Sequence, residues 1–116
     1  MVVERPEPGF ASAVERECAR LFDHLGIAWQ YEPDTFVLER DDQGRVREAF
    51  TPDFYLPDLN VYLEITTMRQ ALVTRKQHKV RRLQELRPDL RVKLFARRDV
   101  ERLVACHGIS LGDAAA

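Results

Sequence analysis

Several features are scarce in this chain of 116 residues. Its two cysteines, Cys18 and Cys106, lie far apart and outside any CxxC pattern, so buried thiols are expected rather than a disulfide or a zinc centre. No apolar run approaches the ~20 residues that cross a bilayer. The acidic N-terminus also lacks the basic and apolar regions of a signal peptide, and the expectation is a soluble cytoplasmic protein with no membrane partner. There is no internal repeat, no low-complexity segment beyond a short Ala-rich end, and nothing that resembles a dedicated base-reading module. The length suits one domain with a modest core, placed at residues 10–108 between a flexible lead-in (1–9) and a tail (109–116).

What the chain does have is charge, unevenly placed. The net charge is -1, yet residues 1–68 hold 6 Lys/Arg against 14 Asp/Glu, whereas residues 69–102 hold 12 against 4. The basic block suits a polyanion such as nucleic acid, or a solvated helix face. The acidic half argues against a surface that binds nucleic acid throughout, and suits carboxylates gathered around a cation.

Hydrophobic spacing predicts the elements. Phe10, Val14, Cys18, Leu21, Phe22 and Leu25 recur at helical intervals, with Ser12 and Glu15 forming a capping-box pattern at the start and Gly26 closing the run. Residues 27–31 and 35–40 read as extended, the 41–45 stretch as a hairpin turn, and 46–56 as a strand. After a break at 57–60 comes a strand at 61–67, then a helix over 74–87 capped by Thr74 and ended before Pro88. A strand at 90–96 and a short helix capped by Asp99 complete the order. The result is an α/β fold: one small mixed β-sheet flanked by helices on both faces, in the order αβββαβα, with strands 61–67 and 90–96 parallel across the helical crossover.

Alternation along 61–67 puts Val61, Leu63 and Ile65 on one face and Tyr62, Glu64 and Thr66 on the other. A carboxylate among such residues needs a partner or a metal. A bend around 57–60 brings Asp53 beside Glu64, and two adjacent carboxylates repel unless a cation lies between them. Oxygen ligands with no spare His or Cys suit Mg²⁺ or Mn²⁺, with the Ile65 backbone carbonyl as a third ligand. Tyr62 is the aromatic placed near this site. Trp29, Tyr31, Phe36 and Phe54 read as core or strand-face residues, and His78 and His107 as surface residues.

These residues resemble the PD-(D/E)XK nuclease superfamily, and within it the phage endonuclease I type of Holliday-junction resolvase. The resemblance covers residues 12–96 and rests on "SAVE", "GIAWQYEP", "TPDFYLP", "VYLEIT" and "RPDLRVKLF" in that order. It implies a restriction-endonuclease-like fold and hydrolysis of DNA phosphodiester bonds by a Mg²⁺- or Mn²⁺-dependent endonuclease. Branched or junction DNA, in repair or recombination, is the implied substrate, and a homodimer or a larger nuclease complex the implied assembly. Asp53 and Glu64 would be metal ligands, and Glu15 would reach the metal through water. Glu15 can equally serve only as the capping partner of Ser12. The departure from the pattern is Thr66, which stands where the family usually has a lysine.

The helix over 74–87 offers a substitute. Lys76 lies on the same stripe as Val80, Leu83 and Leu86, and Lys79 sits at its edge. Long side chains there can run along the core and place an ammonium near Glu64. Lys76, or failing that Lys79, is therefore expected to replace the missing strand lysine, with phosphate binding as the plainer role for both. Arg69, Arg75 and Arg82 are expected to contact the nucleic-acid backbone. The alternative function is a catalytically inactive nucleic-acid-binding or interaction module that retains the fold.

Overall fold

A computed structural model describes residues 9–66 and 70–106. Helix α1 (Ala13–His24) starts at Ser12, whose extended backbone and side chain cap it: Ser12 Oγ accepts from the Glu15 amide at 3.2 Å. At the other end the Gly26 amide donates to Asp23 and the Ile27 amide to Phe22, with Gly26 at φ 71. This two-bond closure needs a left-handed residue, which glycine adopts without strain. Val14, Cys18, Leu21 and Phe22 form the buried stripe, as their spacing predicts. Cys18 is a free buried thiol, and burial pushes its pKa up to about 12.

Strands β1 (Gln30–Tyr31), β4 (Phe54–Leu56), β5 (Val61–Thr66) and β6 (Val92–Ala96) make a four-stranded sheet in the order β1-β4-β5-β6. The β1/β4 and β4/β5 pairs are antiparallel and β5/β6 is parallel, joined through helix α2 (Gln70–Leu86). Helix α3 (Arg97–Cys106) follows β6 directly. A parallel neighbour reached through a helix is what the sequence order requires. No helix among the described residues is long and apolar enough to cross a membrane.

Several boundaries differ from the sequence expectation. The expected strand over 46–56 is two strands, β3 (Val46–Phe50) and β4, separated at Thr51–Asp53. Pro52 has no amide proton to give a ladder, and the two halves serve different partners. β3 pairs with β2 (Phe36–Arg40) in a separate two-stranded ribbon, so the strands do not form one sheet. Asp41 closes the ribbon's turn by accepting from the amides of Gln43 and Arg45. Helix α2 begins at Gln70, which leaves Thr74 inside it rather than at its cap. Asp99 lies in the first turn of α3 and accepts from the Ala96 amide at 2.8 Å. His107 lies outside the described residues.

All six residues of β5 are buried. Val61, Leu63 and Ile65 pack with α1, while Tyr62 packs with Leu83 of α2, Val92, and Leu38 and Phe50 of the ribbon. Helices thus cover both faces of β5, and this double burial explains a strand with no polar side facing water. Phe54 is fully buried, with its ring centroid 5.4 Å from Phe22, 5.7 Å from Trp29 and 5.5 Å from Tyr31. Truncating such a residue costs about 3–5 kcal/mol. The cluster therefore anchors Asp53 and Tyr31, the immediate neighbours of its rings along the chain and across the sheet.

Candidate metal and active site

The β4/β5 register pairs Phe54 with Leu63, which sets the preceding residue, Asp53, opposite Glu64. The Asp53 amide donates to Glu64 Oε1 at 3.2 Å, and the Ile65 amide donates to Asp53 Oδ2 at 2.8 Å. Each carboxylate is thus fixed by the other strand's backbone. Burial raises the pKa of both groups, and the negative charge of Glu15 raises Asp53 further while that of Asp53 raises Glu64. The Lys76 ammonium works in the opposite direction on both.

On the α1 side, Glu15 is buried, 6% exposed, with hydroxyl groups on both oxygens. Ser12 Oγ donates to Oε2 at 2.9 Å and the Tyr31 hydroxyl donates to Oε1 at 2.7 Å. The Ser12 cap and a place at the site are therefore simultaneous properties of Glu15. Burial and the Glu15 bond raise the Tyr31 pKa, which keeps the phenol a donor.

Glu32 completes this side. Its amide donates to the Asp53 carbonyl at 2.8 Å, and its own φ is 46, a left-handed conformation that an L-residue with a side chain adopts at a cost of about 1–2 kcal/mol. Carboxylate oxygens of Glu15, Glu32 and Asp53 lie within 4.8 Å of one another. An all-oxygen set at that spacing fits a hard divalent cation, whose ligands sit ~2.0–2.6 Å from the ion. Asp53 joins this trio to Glu64, which is not part of it.

Lys76 and Lys79 go to different places. Lys76 Nζ donates to the Ile65 carbonyl at 2.5 Å and lies 3.6 Å from Glu64 Oε2. Lys79 Nζ instead donates to the Ala49 carbonyl of β3 at 3.4 Å. Of the two expected substitutes, Lys76 is the one brought to the carboxylates. Thr66 is buried at 3% exposure, and its Oγ1 has no hydrogen-bond partner among the described residues. Tyr62 shares the face of Glu64, but its hydroxyl is committed to Asp34 Oδ2 at 2.5 Å and its ring packs on Phe36 and Tyr55.

Much of the basic block is occupied with protein contacts. Arg82 donates to the Leu38 carbonyl at 3.3 Å and lies 3.5 Å from Glu85, Arg87 pairs with Asp89, and Arg91 donates to the Leu59 carbonyl. Arg75 and Arg81 are exposed and, with Lys79, His78 and Glu48, line an open depression of about 440 Å³ between α2 and the ribbon. None of the site carboxylates lines it. Arg69 lies outside the described residues.

Glu32 is the site residue that its local sequence does not announce. It reaches Asp53 only because β1 pairs with β4, and a two-residue strand carries no alternation by which to read that register. Comparison of the chain with protein-family models, with curated proteins and with solved structures finds no match.

Proposed function

We propose that this chain is a metal-dependent endonuclease of PD-(D/E)XK type, with a restriction-endonuclease-like fold, hydrolysing DNA phosphodiester bonds. The observation that carries the reading is the convergence of Glu15, Asp53, Glu64 and the Lys76 ammonium at the junction of β4 and β5. Mg²⁺ or Mn²⁺ is the cofactor that this donor set suits, with Asp53 as the shared ligand and Glu15, Glu32 and Glu64 around it. When bound, such an ion supplies an activated water and neutralises charge on the phosphate.

The chain's own groups do the rest. Asp53 and Glu64 are held in place by backbone amides, so the two carboxylates themselves are already positioned towards each other. Tyr31 and Ser12 orient Glu15 towards Asp53. Lys76, 3.6 Å from Glu64 Oε2, provides the positive charge that Thr66 lacks. Arg75 and Arg81 on the outer face of α2 supply sequence-independent backbone contacts. Branched DNA as substrate, action in repair or recombination, and a homodimer or larger nuclease complex follow from the resemblance of the motifs alone.

The second reading is an inactive DNA-binding module. It draws on the Lys76–Glu64 ion pair and on the loss of the strand lysine at Thr66. Incubation with supercoiled plasmid and a synthetic four-way junction, in Mg²⁺, Mn²⁺ or EDTA, separates the two readings. The nuclease cuts with metal and not in EDTA, whereas the module binds DNA equally in all three and cuts in none.

A further inference from the structure

The Ile65 carbonyl and the Glu64 carboxylate are adjacent oxygen donors on β5, beside Asp53. This pair of oxygens already holds a cation. Lys76 Nζ donates to the Ile65 oxygen and stands 3.6 Å from Glu64 Oε2, with a Glu64 side chain only 9% exposed. A carbonyl oxygen capped by an ammonium at hydrogen-bond distance does not also coordinate a divalent ion on the same side, and like charges that close repel strongly in a half-buried setting. Lys76 itself is 31% exposed at its side chain, so its long stem has room to swing its head towards solvent.

We propose that Lys76 is a resident counter-cation that holds the Glu64–Ile65 oxygen pair closed in the metal-free protein and is displaced when a divalent ion binds there. The ammonium and the metal compete for one seat. Once off these oxygens, the partly exposed Lys76 ammonium would be available to a phosphate. Lys76 couples metal arrival to substrate binding as a positioning residue. The inference rests on the metal-dependent reading above.

Manganese binding by calorimetry tests it, because the readout is affinity rather than cleavage. Lys76→Met should bind Mn²⁺ about tenfold more tightly than the unaltered chain, and Lys76→Gln should follow it should Lys76→Met not fold. Lys76→Arg, which keeps the charge, should bind as the unaltered chain does. The gain should vanish when Glu64→Gln is added to Lys76→Met, because the opened seat then lacks its carboxylate. Equal or weaker binding by the neutral variants overturns the inference, as does a gain that survives Glu64→Gln. If the unaltered chain binds Mn²⁺, and loses it in Asp53→Ala, while Lys76→Met changes nothing, the inference falls and the metal-dependent reading stands. Absence of binding in every chain overturns both.

Discussion

Asp53 and Glu64 are bound to each other's strands: the Asp53 amide donates to Glu64 Oε1, and the amide after Glu64 donates to Asp53 Oδ2. Two carboxylates clamped this way, Glu64 buried and Asp53 half-buried, cannot separate to relieve their repulsion. The fold carries that repulsion, offset in part by the Lys76 ammonium.

The first prediction follows from the sign of the pKa shifts. Both groups titrate above the ordinary carboxylate range. Stability from a raised pKa is fully present below the unfolded value and is lost as pH rises through the folded one. In EDTA, thermal unfolding should therefore show Tm falling between about pH 4 and pH 8, with about 4–8 °C lost per kcal/mol. Glu64→Gln should flatten the profile. Added Mn²⁺ should raise Tm more at pH 8 than at pH 5, because protons and metal compete for the same oxygens, and a concentration of about 100 times Kd should contribute about 2.7 kcal/mol.

Glu32 sits at φ 46 with an exposed side chain. Glu32→Gly removes the conformational penalty and should raise the metal-free Tm, on the order of 0.5–1 kcal/mol of stability. It also removes a carboxylate from the trio, so Mn²⁺ affinity should fall about tenfold. A variant that is both more stable and a poorer metal binder is the expected combination; unchanged affinity would remove Glu32 from the site.

Tyr31→Phe deletes the hydroxyl that donates to Glu15 Oε1 at 2.7 Å. A hydrogen bond to a charged group is worth about 1.5–3 kcal/mol, so the urea midpoint should fall with no change in slope. An unshifted midpoint would mean that water replaces the phenol without loss.

Thr66 offers a test with the opposite sign. Its Oγ1 is buried with no partner among the described residues, and valine has nearly the same shape. Thr66→Val should be neutral or stabilising by up to about 1–2 kcal/mol in chemical denaturation. A loss of more than about 1 kcal/mol would show that the hydroxyl has a hydrogen-bond partner in solution.

How far the sequence discloses this arrangement depends on the range of the signal. The α1 cap and stripe, the two faces of β5 and the parallel β5–β6 crossover are legible because local periodicity and capping chemistry dictate them. Asp53 opposite Glu64 is legible because a short turn at 57–60 joins their strands. The separation of the β2–β3 ribbon from the main sheet is less so, since Pro52 marks a break but not where each half goes. The approach of Glu32 to Asp53 depends on the β1–β4 register, which pairs Gln30 with Tyr55 and Tyr31 with Phe54 across a long stretch of chain. Lys76 over Lys79 could be narrowed by the helical stripe, but only the placement of α2 on the sheet separates them, sending one ammonium to Ile65 and Glu64 and the other to Ala49.

The most direct measurement is cleavage of supercoiled plasmid and a four-way junction by the purified chain in Mg²⁺, beside Asp53→Ala prepared identically. Cutting that EDTA abolishes and that Asp53→Ala lowers by about 100-fold or more is the expected result, while the variant remains folded by circular dichroism. Metal-dependent cutting at an unchanged rate in Asp53→Ala would contradict it.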